Sequence, residues 1–68
     1  MYIIHIEHLG KERIISKIFE TETKAIRFLG LVAEVFGGNL VLDIDTYLIE
    51  YEDGLFDGRH FTIKNCEE

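Results

Sequence analysis

Three histidines, one serine and one cysteine are the side chains of this sequence best suited to catalysis or metal binding. His5 and His60 both point outward from the terminal strands if these pair, and with Glu7 they have the chemistry of a metal or acid–base site. Imidazoles on a strand surface are far more often ordinary solvated groups. His8 falls on the opposite face of the first strand from His5, so the two do not readily share a metal. Ser16 lies mid-strand with no glycine-framed turn around it. Cys66 is near the end of the chain, with nothing evident to lower its pKa. Gly37-Gly38 follows a helix, whereas a phosphate loop places its glycines before one. Asp43-Ile44-Asp45-Thr46-Tyr47-Leu48 has two acids of a calcium loop but neither the third ligand nor the glycine. The expectation is a non-enzyme: no catalytic residue, no metal set and no cofactor is assigned.

The carboxylates are the more informative group. From Met1 to Phe36 five acids face five bases; from Gly37 onward eight acids face two bases, so the whole net charge of −6 belongs to the second half. Such segregation speaks about partners rather than fold. Same-face positions on a strand recur every ~6.6 Å. Asp43 with Asp45, and Glu50 with Glu52, have that spacing if the strand runs through them. Asp53 and Asp57 add charge in the adjoining loop, and Phe56 is a candidate apolar anchor among them. Tyr47 and Tyr51 are further anchors or core. A regular negative array of this kind suits a basic groove built for nucleic acid. The competing reading is a solvated face that keeps a small domain soluble.

Sixty-eight residues form one domain, 1–68, with 65–68 expected as a frayed tail. One cysteine excludes an internal disulfide, and no paired Cys/His spacing offers zinc. The hydrophobic fraction of 47% is that of a globular chain. No run approaches a membrane span, and the apolar start lacks the flanks of a signal peptide. The sequence therefore reads as a soluble, cytoplasmic protein. Its negative charge disfavours direct binding to nucleic acid or anionic membrane.

These residues sit on a simple frame. Tyr2 to His8 alternates with period two, placing Tyr2, Ile4 and Ile6 on one face. Gly10-Lys11 is expected as a two-residue turn leading to a second strand, Glu12 to Phe19. The face of that strand is ambiguous between Ile14/Ile18 and Ile15/Phe19, which double-sided burial or a bulge would explain. Thr21 is an N-cap for a helix from about Glu22 to Phe36, with Ala25, Phe28, Leu29, Val32, Val35 and Phe36 on its core face and Gly37 ending it. Leu40, Leu42 and Ile44 alternate inward, then the inward set becomes Tyr47, Ile49 and Tyr51. That parity change marks a bulge near Asp45-Thr46 or a tight turn. The absence of Gly, Pro or Asn favours the bulge. Asp53-Gly54 and Asp57-Gly58 bracket Leu55-Phe56, read as an open loop. The last strand, Arg59 to Lys64, points Phe61 and Ile63 inward. The fold class is α+β, a single small β-β-α-β-β domain whose antiparallel sheet carries one helix on one face.

No family is recognised from motifs. By type, the chain resembles the small acidic proteins that phages and mobile elements encode against bacterial immunity, anti-CRISPR proteins among them. That likeness rests on size, charge and lack of catalytic residues, and it transfers no residue role. It implies a stoichiometric inhibitor that occupies a basic, nucleic-acid-handling surface through Asp43, Asp45, Glu50, Glu52, Asp53, Asp57 and Phe56. The alternative is a dimeric adaptor that uses Ile26 and Leu31 on the helix flank, its acidity serving solubility.

Overall fold

The computed structural model describes residues 1–66. In chain order the elements are β1 (Tyr2–His8), β2 (Lys11–Ile14), α1 (Glu22–Val35), β3 (Asn39–Asp43), β4 (Thr46–Glu50) and β5 (His60–Asn65). The strands form one antiparallel sheet in the order β2-β1-β5-β4-β3, and α1 packs on one face of it against β3, β1 and β5. The α+β class and the single helix on one face are as the sequence indicates. The sheet has five strands instead of four because the segment after the helix is a hairpin. No helix among the described residues is long and apolar enough to cross a membrane.

The first hairpin turns at Leu9-Gly10, one residue earlier than expected. Both residues have positive φ, 55° and 77°. That is the type I′ pattern, whose twist matches the strands it joins. It sets Ile6 opposite Arg13 and His5 opposite Ile14. Tyr2 then pairs with Phe19, so the second strand's side holds two residues more than β1 does over the same stretch. The surplus is taken up by a tight turn in which the Lys17 amide bonds to Ile15 O at 2.7 Å. An even insertion restores face parity. Ile15 and Phe19 therefore pack inward while Ile14 and Ile18 stay exposed, which resolves the ambiguous pattern.

Thr21 caps α1 by accepting a 3.2 Å bond from the Lys24 amide. At the other end Gly37 takes φ 84°, and the amides of Gly37 and Gly38 bond to Glu34 O and Ala33 O. This is the paired closure that a left-handed C′ residue permits. The core is Ile4, Phe19, Ala25, Leu29, Ala33, Ile49 and Phe61. The Phe19 and Phe28 rings meet at 5.3 Å between centroids. Each large side chain so buried contributes about 1.5–3 kcal/mol. Val35, placed on the core face from the sequence, is 83% exposed. Six residues on from Leu29 it lies about 240° round the helix, whereas Ala33 lies about 40° away and takes the core position.

The residues after Asp43 turn at Ile44-Asp45 and return as β4, with Asp43 opposite Thr46 and Asn39 opposite Glu50. The parity change is therefore a tight turn, not a bulge. Residues 65 and 66 are not frayed: Asn65 pairs with Tyr2, and the Cys66 amide bonds to Met1 O at 2.9 Å. The remaining two tail positions lie outside the described residues.

Candidate functional site

The β3–β4 hairpin presents most of the acidic residues singled out above, but not as a regular array. Asp43 ends β3, while Asp45 is in the turn, where its Oδ1 accepts from Thr46 Oγ1 at 3.4 Å. Glu50 ends β4, about 13 Å from the turn end of that strand at the usual rise per residue. Glu52 and Asp53 lie beyond it in a second turn, where Asp53 Oδ1 accepts from the Leu55 amide. Neither expected i, i+2 pair forms a strand-spaced ladder, because the chain bends after Asp43 and after Glu50. The carboxylates instead form two groups, Asp43/Asp45 and Glu50/Glu52/Asp53, at opposite ends of the hairpin. None of these five makes an ion pair among the described residues.

Asp57 behaves differently. Its carboxylate accepts from the Tyr51 hydroxyl at 2.6 Å, the Arg59 amide at 3.0 Å and the Arg59 guanidinium at 2.9 and 3.1 Å. Burial pushes its pKa up, but the hydrogen bonds from Tyr51 and Arg59 and the guanidinium charge outweigh burial, and the net shift is down. Asp57 is thus a structural acid whose charge is compensated within the fold. The segment around it is not an open loop. The Tyr51 amide bonds to Leu55 O, the Gly54 amide to Tyr51 O, and Glu50 bridges to Phe56. Leu55 and Phe56 still project, 64% and 52% exposed. Tyr47 and Tyr51 pack against the core.

The face of the sheet away from the helix carries the histidine cluster. His5 is opposite Thr62 and Glu7 opposite His60, so His5 and His60 share this face as diagonal neighbours. His5 Nδ1 donates to Glu12 Oε2 at 3.2 Å. Among the described residues no three His, Cys, Asp or Glu side chains converge to hold a metal. Of the candidate dimer pair, Leu31 is 62% exposed and Ile26 is half-buried.

A feature the sequence did not reveal lies on the helix side of the sheet, beyond the end of α1. A cavity of about 400 Å³ is lined by Ile6, His8, Leu9, Lys11, Arg13 and Arg59. The first hairpin supplies five of these residues, and Arg59, immediately before β5, is the sixth. Arg59 also lies over the Phe36 ring, 4.9 Å from its centroid. His8 Nδ1 is shielded from solvent with no hydrogen-bond partner. An unsatisfied polar atom of this kind costs about 1–3 kcal/mol. The only sequence signal for the cavity is the alternation Lys11-x-Arg13, which puts both cations on one face of β2. A smaller cavity of about 200 Å³, lined by Glu22, Leu42, Ile44, Asp45, Tyr47 and Ile63, contains acids and no base.

No family model, no curated protein and no solved structure matches this chain.

Proposed function

We propose that this is a non-catalytic acidic interaction protein whose β3–β4 hairpin docks on a basic surface, such as that of a nucleic-acid-handling protein, and excludes its substrate. One observation carries the reading: Asp43, Asp45, Glu50, Glu52 and Asp53 surround an edge hairpin and carry no compensating cation among the described residues. Uncompensated charge of one sign steers a partner of the other and is screened by salt. β3 is also an open edge, and its middle residues Leu40, Val41 and Leu42 bear none of the charges that usually blunt one. Exposed Phe56 beside the Glu50 group supplies an apolar anchor. An inhibitor of the kind encoded by phages and mobile elements is the specific form of this proposal.

The test is capture from lysate at low and high salt, followed by identification of the partner and competition with duplex nucleic acid. A partner that binds nucleic acid, is displaced by it and by salt, and is lost with the Asp43→Lys/Asp45→Lys variant supports the reading. Full-strength binding by that variant overturns it.

A further inference from the structure

The cavity at the first hairpin has a cationic lining. Its six lining residues include two arginines, a lysine and a histidine, and no acid, in a chain of net charge −6. Lys11 and Arg13 make no ion pair or hydrogen bond to another side chain among the described residues, so their charges are uncompensated. They stand two residues apart on β2, opposite His8 and Ile6 respectively, and so flank one patch of the helix-side face at ~6.6 Å spacing. Arg59 closes the other side. Its Nη1 is held by Asp57 and its guanidinium rests over Phe36, which fixes the head group while Nε and Nη2 make no hydrogen bond among the described residues. Ile6 and Leu9 give the cavity an apolar wall. The partnerless Nδ1 of His8 is an independent sign that the polar groups here are not satisfied within the fold.

We infer that this cavity binds a phosphomonoester carried on a small apolar or aromatic body. Two uncompensated cations match the roughly −1.5 to −2 charge of such a group at neutral pH. A guanidinium fork suits phosphate oxygens. A cavity of about 400 Å³ exceeds what inorganic phosphate alone would fill and lies in the range of small-ligand sites. The site is at the β2 edge, about 19 Å across the sheet from the β3 edge at the usual strand spacing, and does not depend on the acidic hairpin.

The experiment is a titration of the isotope-labelled protein with phenyl phosphate, followed by amide chemical shifts, with inorganic phosphate and benzoate in parallel. Saturable shifts confined to residues 6–13 and 58–60 are expected. Phenyl phosphate should bind at least about threefold more tightly than either comparison ligand, because inorganic phosphate lacks the ring that meets the apolar wall and benzoate brings a single negative charge to the cations. The Lys11→Gln/Arg13→Gln variant, altered at two exposed positions of an edge strand, should keep the wild-type spectrum elsewhere and lose affinity by at least about tenfold, the loss of a charge-assisted contact. Asp43→Lys/Asp45→Lys should keep the site, which separates failure here from failure of the hairpin reading. Absence of saturable shifts at about 10 mM phenyl phosphate, enough to load even a millimolar site, would overturn the inference. So would unchanged affinity in the glutamine variant, or equal binding of inorganic phosphate.

Discussion

The Tyr51 hydroxyl donates a 2.6 Å hydrogen bond to Asp57 Oδ2 and so ties the end of β4 to the segment that leads into β5. The same carboxylate holds the Arg59 amide and guanidinium, and Arg59 in turn covers Phe36 at the helix C-terminus. One acid therefore links sheet, connecting segment and helix end. This explains why a carboxylate in the most acidic part of the chain is the least exposed of those in ion pairs.

Asp57→Asn should destabilise the fold by about 1.5–3 kcal/mol at neutral pH, the range for hydrogen bonds to a charged group. The folded-state pKa lies below the ordinary value of 3.8. The stabilising contribution is therefore complete above that value and is lost as pH falls through the folded-state pKa. Urea unfolding of both proteins across this window should show their midpoints converging in acid. A constant gap from pH 7 downward would contradict the assignment.

The same bond acts on Tyr51. Its hydrogen bond to Asp57, then burial, then the carboxylate charge raise the phenol's pKa above 10.0, against the opposing charge of Arg59. Ultraviolet titration should show one tyrosine ionising late in the wild type and returning toward its ordinary value in Asp57→Asn. Identical titration curves would show that the bond does not persist in solution.

Two glycines should respond to alanine with opposite signs. A Cβ on Gly38 would lie 2.6 Å from Ile49 Cγ2 and 2.8 Å from Glu50 O. The second neighbour is backbone and cannot swing away, so Gly38→Ala should cost about 2–3 kcal/mol, toward the upper end of overpacking. Gly30 is helical and has nothing within 4 Å of the same position. Gly30→Ala should stabilise the protein by up to about 1 kcal/mol through helix propensity. Thermal unfolding of both variants checks the pair. A destabilised Gly30→Ala would point to a close neighbour on that helix face.

The elements that the sequence discloses are those in which local pattern and tertiary packing agree. Tyr2, Ile4 and Ile6 alternate and face the helix, and Thr21 and Gly37 mark the ends of α1. Face parity also registers the change after Ile44, but not its form, because the turn there contains none of the residues that announce one. The regular acidic ladder fails for the same reason. It assumes a continuous strand where the chain reverses. The cationic cavity is hidden for another reason. Lys11 and Arg13 are cancelled by nearby acids when charge is summed along the chain, and only the pairing of β1 with β5 brings Arg59 to them.

Ile44 itself yields the last prediction. It occupies the first central position of the β3–β4 turn with φ 61°, and the second position, Asp45, is not among the residues of positive φ. That is the type II′ pattern, which favours glycine at the first position. A β-branched residue there is strained, at a cost of roughly 1–2 kcal/mol. Its side chain recovers nothing from the core, being 91% exposed. Ile44→Gly removes the strain but enlarges the entropy of the unfolded chain by up to ~1 kcal/mol. The net expectation is a stabilisation of about 0.5–1 kcal/mol, read as a higher urea midpoint with unchanged slope. The strain persists in the natural sequence beside Asp43 and Asp45, so the same variant also reports on the hairpin's role. If Ile44 contributes an apolar contact to the partner bound there, Ile44→Gly will bind it more weakly while folding more stably. Loss of stability would show that the turn does not hold Ile44 in the left-handed region.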